Sequence, residues 1–254
     1  MDRAKLTGVV LRAVDYGESD RVVTLLTAER GKVSAFARGA RASRRRFGGA
    51  LEPFTLLSAE VRERSGSDLL GLDSVSVVRG FGALRGDLGR IACAGYAAEL
   101  ARELVRDHQP HDELFELLVA YLDALDAGPP RPAALRAFEL GALRAAGLMP
   151  RLDACARCGA PVGEGPVRFD AGEGGALCAG CAPGVPRTLP LAAGTLAALL
   201  RLQDGGLAAA ASEPLAPPAG REAREALTAF LEHHLGRRLA ARRFLDEIGP
   251  LLGA

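Results

Sequence analysis

The sequence contains no tryptophan, only 5% aromatic residues and only four histidines. Long apolar runs are also missing, since no window approaches 18 uncharged apolar residues. The first residues carry charge too early, and their apolar run is too short, for a signal peptide. We therefore expect a cytoplasmic protein that does not enter a membrane.

The motifs that enzymes use to bind nucleotides or to carry acid–base chemistry are also missing. The phosphate-binding pattern G-x-x-x-x-G-K-[ST] does not occur. His108 and His111 flank Pro110 in a polar connection, and His233 and His234 fall on the polar side of an amphipathic segment, which is typical of solvated histidines. Acidic residues occur singly and form no paired arrangement. We predict no catalytic activity and no bound nucleotide.

The overall composition is that of an ordinary globular protein. The chain has 254 residues, of which 48% are hydrophobic and 25% charged. The formal net charge of +1 argues against general coating of nucleic acid but leaves room for a local basic patch.

Hydrophobic periodicity divides the chain into an N-terminal β part and a C-terminal α part. Residues 6–80 contain five alternating or β-branched runs separated by Gly, Asp, Ser and Glu, which predicts a five-stranded OB-type barrel. A small open sandwich or an SH3-like barrel is the alternative. From Ala83 onward the apolar residues recur at helical spacing. We predict an α+β multidomain protein with an OB domain at residues 1–80, an α-helical domain at residues 81–150 and 185–254, and a metal module at residues 151–184.

Four of the five cysteines form two tight pairs, Cys155-x2-Cys158 and Cys178-x2-Cys181. Thiolates at this spacing can close a tetrahedron around zinc. Four cysteines fill the coordination sphere, so we expect structural zinc and not a catalytic metal with an open position. A redox switch is the minor alternative. The remaining Cys93 is predicted to be a buried apolar residue.

The stretch Gly31–Phe54 is the most basic part of the chain. No acidic residue occurs between Glu29 and Glu52, although the overall charge is close to zero. Arginine binds phosphate bidentately and stacks on bases, so this concentration favours a nucleic-acid site over an ordinary solvated loop. The predicted DNA-binding residues are Arg21, Lys32, Phe36, Arg38, Arg41, Arg44, Arg45 and Arg46.

The third predicted strand places Phe36 on its outer face. Val33, Ala35 and Ala37 alternate with Lys32, Ser34, Phe36 and Arg38, which predicts that the first set faces the core. An exposed aromatic between two cations can stack an unpaired base. Alternatively, Phe36 packs under a neighbouring loop or the helical domain.

Several short motifs, in order, resemble the RecO family of bacterial recombination mediators. They are Gly17–Arg21, Val22–Thr27, Gly31–Val33, Arg38–Arg41, Ser43–Phe47, Leu51–Phe54, Gly147–Leu152, the first cysteine pair with Gly159, and Phe169–Cys181. Together they span almost the whole chain.

The resemblance implies a specific set of partners and activities. Members of this family bind single- and double-stranded DNA, anneal complementary strands without ATP and, with RecR, help RecA replace single-strand-binding protein (SSB). It implies a nucleoid-associated location and a site for the acidic, Phe-ended SSB tail, for which the candidate cations are Arg102, Arg106, Arg136 and Arg144. The alternative function is an adaptor that docks partner proteins or RNA, and a zinc-dependent enzyme is a third hypothesis.

Overall fold

A computed structural model of the chain describes residues 3–43, 46–64, 66–162 and 167–248. The chain forms two compact units, Met1–Pro129 and Pro130–Ala254. Among the described residues, no helix is both long enough and apolar enough to cross a membrane.

The first unit begins with a closed barrel of five strands, which confirms the prediction. The strands are β1 (Arg3–Tyr16), β2 (Asp20–Thr27), β3 (Gly31–Ala37), β4 (Leu56–Arg62) and β5 (Leu70–Arg79), and they pair in the order β1-β2-β3-β5-β4. The long strand β1 pairs with both β2 and β4, and its register with β2 shifts between Val10 and Arg12. Such a bulge bends a strand and helps a sheet to close.

The barrel core is aliphatic because apolar residues alternate along its strands. In β3, Val33, Ala35 and Ala37 are fully buried, whereas Ser34 and Phe36 are half-buried, as the alternation predicts. Phe47 and Leu51, from the loop after β3, are also buried in this core. The loop is therefore anchored at its far end by hydrophobic residues.

After the barrel, the described part of the first unit contains a short 3-10 helix (Leu84–Gly86) and two α-helices, α1 (Leu88–Leu104) and α2 (Asp112–Ala127). The segment that joins them returns to the barrel at the start of β3. There the His108 backbone N–H donates a hydrogen bond of 2.8 Å to the Lys32 carbonyl oxygen. Gly31 has φ of +63°, and a Cβ atom at this position would lie 1.7 Å from the Gln109 carbonyl oxygen. Only glycine fits this position without displacing the connection.

The described residues of the second unit form four α-helices, a short 3-10 helix (Ala182–Gly184) and a small sheet. The helices are α3 (Pro132–Ala145), α4 (Ala193–Ser212), α5 (Pro217–Leu235) and α6 (Ala240–Ile248); the strands β6 (Val167–Asp170), β7 (Gly175–Leu177) and β8 (Leu189–Leu191) pair in the order β7-β6-β8.

Polar contacts fix two of these helices. The Glu222 carboxylate on α5 accepts hydrogen bonds from the Ala192 backbone N–H at 2.8 Å and from the Thr195 hydroxyl at 2.6 Å. It therefore caps the N-terminus of α4 from a neighbouring helix. On α3, the buried Glu139 carboxylate lies 2.9 Å from Arg136 and 3.8 Å from Arg242 of α6.

Candidate nucleic-acid interface and metal centre

An aromatic pair lies on the outer surface of the barrel. Phe36 is half-buried, and the Tyr16 ring stands edge-on to it with ring centroids 5.7 Å apart. The guanidinium of Arg64, in the loop after β4, lies 5.2 Å from the Phe36 ring centroid. Phe36 is thus partly covered by side chains. This arrangement lies between the fully exposed ring and the ring packed under a loop or helical domain that the sequence left as alternatives.

Sequence reasoning missed Tyr16 and Arg64. Tyr16 is the last residue of β1 and pairs with Asp20 across the tight turn at Gly17, which has φ of +60°. The turn residues are visible in the sequence, but the approach of Tyr16 to Phe36 depends on pairing between three strands. Arg64 reaches Phe36 only because the barrel closes.

The arginines of the basic loop, which comprises residues 38–47 after β3, differ in the number of partners that their side chains have. Arg38 is exposed, and within the described ranges no acidic side chain pairs with it. Arg41 is exposed, donates to the Glu18 carbonyl oxygen at 3.1 Å and lies 3.7 Å from Asp15. Arg44 and Arg45 lie outside the described residues. Of the loop cations that are described, Arg38 has the fewest side-chain partners among the described residues.

Arg46 is a structural anchor of this loop. Its guanidinium donates to the Arg38 carbonyl oxygen at 2.7 Å and lies 5.0 Å from the Phe47 ring centroid. Its carbonyl oxygen accepts a hydrogen bond of 3.2 Å from the Val75 backbone N–H of β5. Substitution of Arg46 would disturb the loop as well as remove a charge.

Two further predicted DNA-binding residues already have partners within the first unit. Arg21 donates to Asp15 at 2.8 Å and to Glu52 at 3.1 Å, and these hydrogen bonds raise its pKa. The Lys32 ammonium donates to the Arg102 carbonyl oxygen at 2.8 Å and lies 3.3 Å from Asp107. Both cations are therefore partly neutralised by the fold itself.

The four paired cysteines come together in the second unit. Their sulfur atoms all lie within 4.8 Å of one another. A tetrahedral site with metal–sulfur bonds of about 2.3 Å would have edges of about 3.8 Å, and the Cys158 and Cys178 sulfurs lie 3.7 Å apart. The donor set and its dimensions are therefore compatible with a bound metal ion.

Local backbone geometry explains how the two cysteine pairs meet. Gly175 of β7 approaches residue 151 so closely that a Cβ atom would lie 2.1 Å from the Arg151 carbonyl oxygen. The Ala156 backbone N–H also donates to the Ala176 carbonyl oxygen at 2.8 Å. These contacts hold the first cysteine pair beside the strand that leads into the second pair. Gly159, with φ of +75°, turns the first pair back toward Cys155.

The thiol groups have unequal affinities for protons. Burial opposes ionisation of Cys155, but backbone N–H groups of Cys158, Cys178 and Arg157 together outweigh it and lower the pKa of Cys155 to about 6. Hydrogen bonds with the side chains of Cys158 and Cys178 raise the pKa of Cys181 to about 12.

Comparison with known proteins gives a consistent result along the whole chain. The model for the N-terminal part of recombination protein O matches residues 1–81, and that for its C-terminal part matches residues 85–243. The chain belongs to the RecO family. It is 97% identical over 253 residues to the DNA repair protein RecO of Anaeromyxobacter dehalogenans (strain 2CP-C), with 100% of each chain covered.

More distant relatives carry the same name. The chain is 50% identical over 249 residues to the DNA repair protein RecO of Myxococcus xanthus (strain DK1622), covering 98% of this chain and 99% of that protein. It is 41% identical over 251 residues to that of Geobacter sulfurreducens, covering 98% of this chain and 100% of that protein. The closed barrel is thus the OB domain of a RecO chain, and a role in DNA repair follows from the family.

The four arginines considered for the SSB tail lie in different environments of this RecO chain. Arg106 is exposed, whereas Arg102 is half-buried and bonded to Glu103 at 2.9 Å. Arg144 of α3 is exposed and donates to the Gln203 carbonyl oxygen. Arg136 is only 3% exposed and is paired with Glu139, so it cannot line an exposed groove in this structure. The sequence pattern did not distinguish this buried cation from surface ones.

Proposed function

We propose that the protein is a non-catalytic recombination mediator that binds single- and double-stranded DNA and anneals complementary strands. With RecR it promotes loading of RecA onto SSB-coated DNA in the cytoplasm, at the nucleoid. Membership of a DNA repair family, together with a basic loop beside an aromatic pair on the barrel, supports this proposal most strongly. The first step is binding of the phosphate backbone, which needs cations and no chemical catalysis.

The expected binding mode follows from the side chains that are accessible. Arg38 can bind phosphates, and Phe36 offers a ring on which a base can stack. Neither contact reads the edge of a base. We therefore expect affinity that depends weakly on sequence and strongly on salt.

The decisive experiment removes charge from the loop without removing its anchor. The variant Arg38→Ala, Arg44→Ala, Arg45→Ala keeps Arg46, and its matched control is Arg187→Ala, Arg201→Ala, Arg221→Ala in the second unit, at three exposed positions. Each lost phosphate contact lowers the slope of log K against log salt by about 0.7 for single strands.

The two variants should therefore behave differently. The loop variant should bind single-stranded DNA more weakly at all sequences, with a slope reduced by about 2. The control should keep the wild-type slope. Equal affinities and salt slopes in the two variants would contradict the assignment of DNA contacts to this loop. Absence of DNA binding by the wild-type protein at low salt would favour an adaptor for protein or RNA.

We further propose that the four-cysteine cluster holds one structural zinc ion through Cys155, Cys158, Cys178 and Cys181. The sulfur-only donor set and the tetrahedral dimensions favour zinc. Elemental analysis of protein prepared without chelators should give about one zinc per chain. The exposed ligand variant Cys158→Ser should lose the metal, and Cys93→Ala, at the cysteine outside the cluster, should retain it. Full metal content in Cys158→Ser would overturn this assignment.

The SSB tail is proposed to contact exposed cations, of which Arg106 and Arg144 are candidates. An acidic peptide that ends in Phe should bind the full chain in a salt-dependent manner. Titration of such a peptide into Arg106→Ala and Arg144→Ala separately identifies which arginine contributes. Arg221→Ala is the control for a general loss of charge, and wild-type affinity in both test variants would remove these arginines from the proposal.

A further inference from the structure

The outer surface of the barrel carries a continuous row of paired residues, of which only Phe36 belongs to the DNA contacts proposed above. Strand pairing places directly opposite residues on the same face of a sheet. Around the barrel, Val14 pairs with Val22, Val22 with Phe36, Phe36 with Gly71, Gly71 with Arg62, and Arg62 with Arg3. We call these residues the barrel stripe: Arg3, Val14, Val22, Phe36, Arg62 and Gly71.

The barrel stripe changes from apolar to cationic along its length. Val14 is 42% exposed at one end, and Tyr16, two residues further along β1 on the same face, is 62% exposed. At the other end Arg62 and Arg3 are exposed. Gly71, between the two ends, has no side chain, and a Cβ atom there would lie 2.7 Å from Arg62 Nε. The Arg62 side chain therefore lies over Gly71, where its Nε is 3.2 Å from the Asp73 carboxylate.

We propose that Phe36 of the barrel stripe and the adjacent Tyr16 form a base-stacking site, and that Tyr16 makes the barrel prefer unpaired over paired strands. This inference rests on the DNA binding proposed above and names the substrate class that this face selects. The two rings stand at 80° to one another. A base that stacks on the face of one ring therefore contacts the other ring with its edge. An unpaired nucleotide fits the angle between the two rings.

Charge complementarity identifies the occupant as a nucleic-acid strand. Arg64 lies over Phe36 and is exposed, and in the described part of the chain no acidic side chain pairs with it. Together with Arg3, it places positive charge on the side of the stripe opposite Tyr16, where the charge of Arg62 is partly neutralised by Asp73 at 3.2 Å. Bases on the aromatic side and phosphates on the cationic side match the polarity of one DNA strand. The bases of a duplex are already stacked on one another, so duplex DNA gains nothing from Tyr16.

The absence of tryptophan allows a direct test in the full-length protein. The variant Tyr16→Trp introduces the only tryptophan of the chain at the proposed site. Stacking of a thymine base should quench its fluorescence when single-stranded oligothymidine is added. The control Val78→Trp places the fluorophore at a position that is 57% exposed, seven residues beyond Gly71 on β5, about 23 Å along the strand. Its fluorescence should change little.

Affinity measurements provide the second readout. Tyr16→Leu should weaken oligothymidine binding about tenfold and change duplex binding less than about twofold. The salt slope should stay at its wild-type value because no charge is removed. Tyr16→Phe keeps the ring and should restore wild-type affinity.

The possible results separate this inference from the proposed function. If the wild-type protein binds DNA but Tyr16→Leu keeps the same affinity for it, the stacking site alone is overturned. The same holds if Tyr16→Leu loses affinity equally for single- and double-stranded DNA. Quenching of Tyr16→Trp by an acidic peptide but not by DNA would also overturn it, in favour of a protein ligand. Failure of the wild-type protein to bind any DNA would overturn both proposals.

Discussion

Gly31→Ala tests how the first two helices are joined to the barrel. The residue has φ of +63°, and the added Cβ atom would lie 1.7 Å from the Gln109 carbonyl oxygen and 2.5 Å from its carbon. These are backbone atoms, so no side-chain rotation relieves the overlap. The connection between α1 and α2 must move away from β3.

The size of the effect follows from three contributions. An alanine in the left-handed region costs about 1–2 kcal/mol. Displacement of the connection also breaks the hydrogen bond from His108 to the Lys32 carbonyl oxygen and the one from the Lys32 ammonium to the Arg102 carbonyl oxygen. Each of these contributes about 1 kcal/mol. We expect a loss of about 3–4 kcal/mol in the free energy of unfolding of the first unit.

Gly17→Ala is the matched control. Gly17 has φ of +60°, but an added Cβ atom meets no other atom within 4 Å. It should lose only the conformational contribution of about 1–2 kcal/mol. Urea denaturation gives both free energies, and hydrogen exchange should show loss of protection at the His108 amide only in Gly31→Ala. Equal destabilisation by the two substitutions would refute the reasoning.

Three further predictions concern the second unit. Glu222→Gln removes the charge of the carboxylate that caps α4 and should lower the free energy of unfolding by about 1–2 kcal/mol. The control Glu225→Gln, at an exposed position, should change it by less than about 0.5 kcal/mol. Equal changes for the two variants in urea denaturation would contradict the role of Glu222 as a cap. Glu139→Ala leaves two buried guanidinium groups without this carboxylate and should lower the free energy of unfolding by about 3–5 kcal/mol. A loss below about 1 kcal/mol in urea denaturation would contradict a role for this buried ion-pair network. Burial and the charge of His233 lower the pKa of His234. Because the unfolded state then binds more protons, the free energy of unfolding should fall as pH drops below about 6.5. His234→Gln should flatten this pH dependence between pH 7.5 and 5, and an unchanged slope would contradict the role of His234.

The sequence predicted the features that depend on short spacings. Alternation at Val33, Ala35 and Ala37 identified the core face of β3, because a strand places every second residue on the same side. The spacing of the cysteines identified the cluster in the second unit, because each pair is a local turn. The strand alternation and each cysteine pair are properties of fewer than ten neighbouring residues.

The features that were missed depend on distant residues. The ammonium of Lys32, which stays a predicted DNA-binding residue, contacts residues 102 and 107, about 70 positions away in the chain. Arg136 looks like any helix-surface arginine until α6 brings Arg242 to the same carboxylate. Tyr16 became a candidate only when three strands were placed side by side. No local pattern of charge or hydrophobicity contains this information.

The join between β3 and the segment after α1 determines where the chain can be shortened. A fragment that ends at residue 80 would contain all five strands, yet it would lack residues 102–109, which cover Gly31 and Lys32. It would also lose Arg85, whose guanidinium bonds to the Pro53 carbonyl oxygen and the Thr55 hydroxyl at 2.8 Å each. A fragment that ends at residue 129 keeps both sets of contacts. Expression trials, proteolysis maps and binding studies on the isolated barrel are therefore best designed around residue 129.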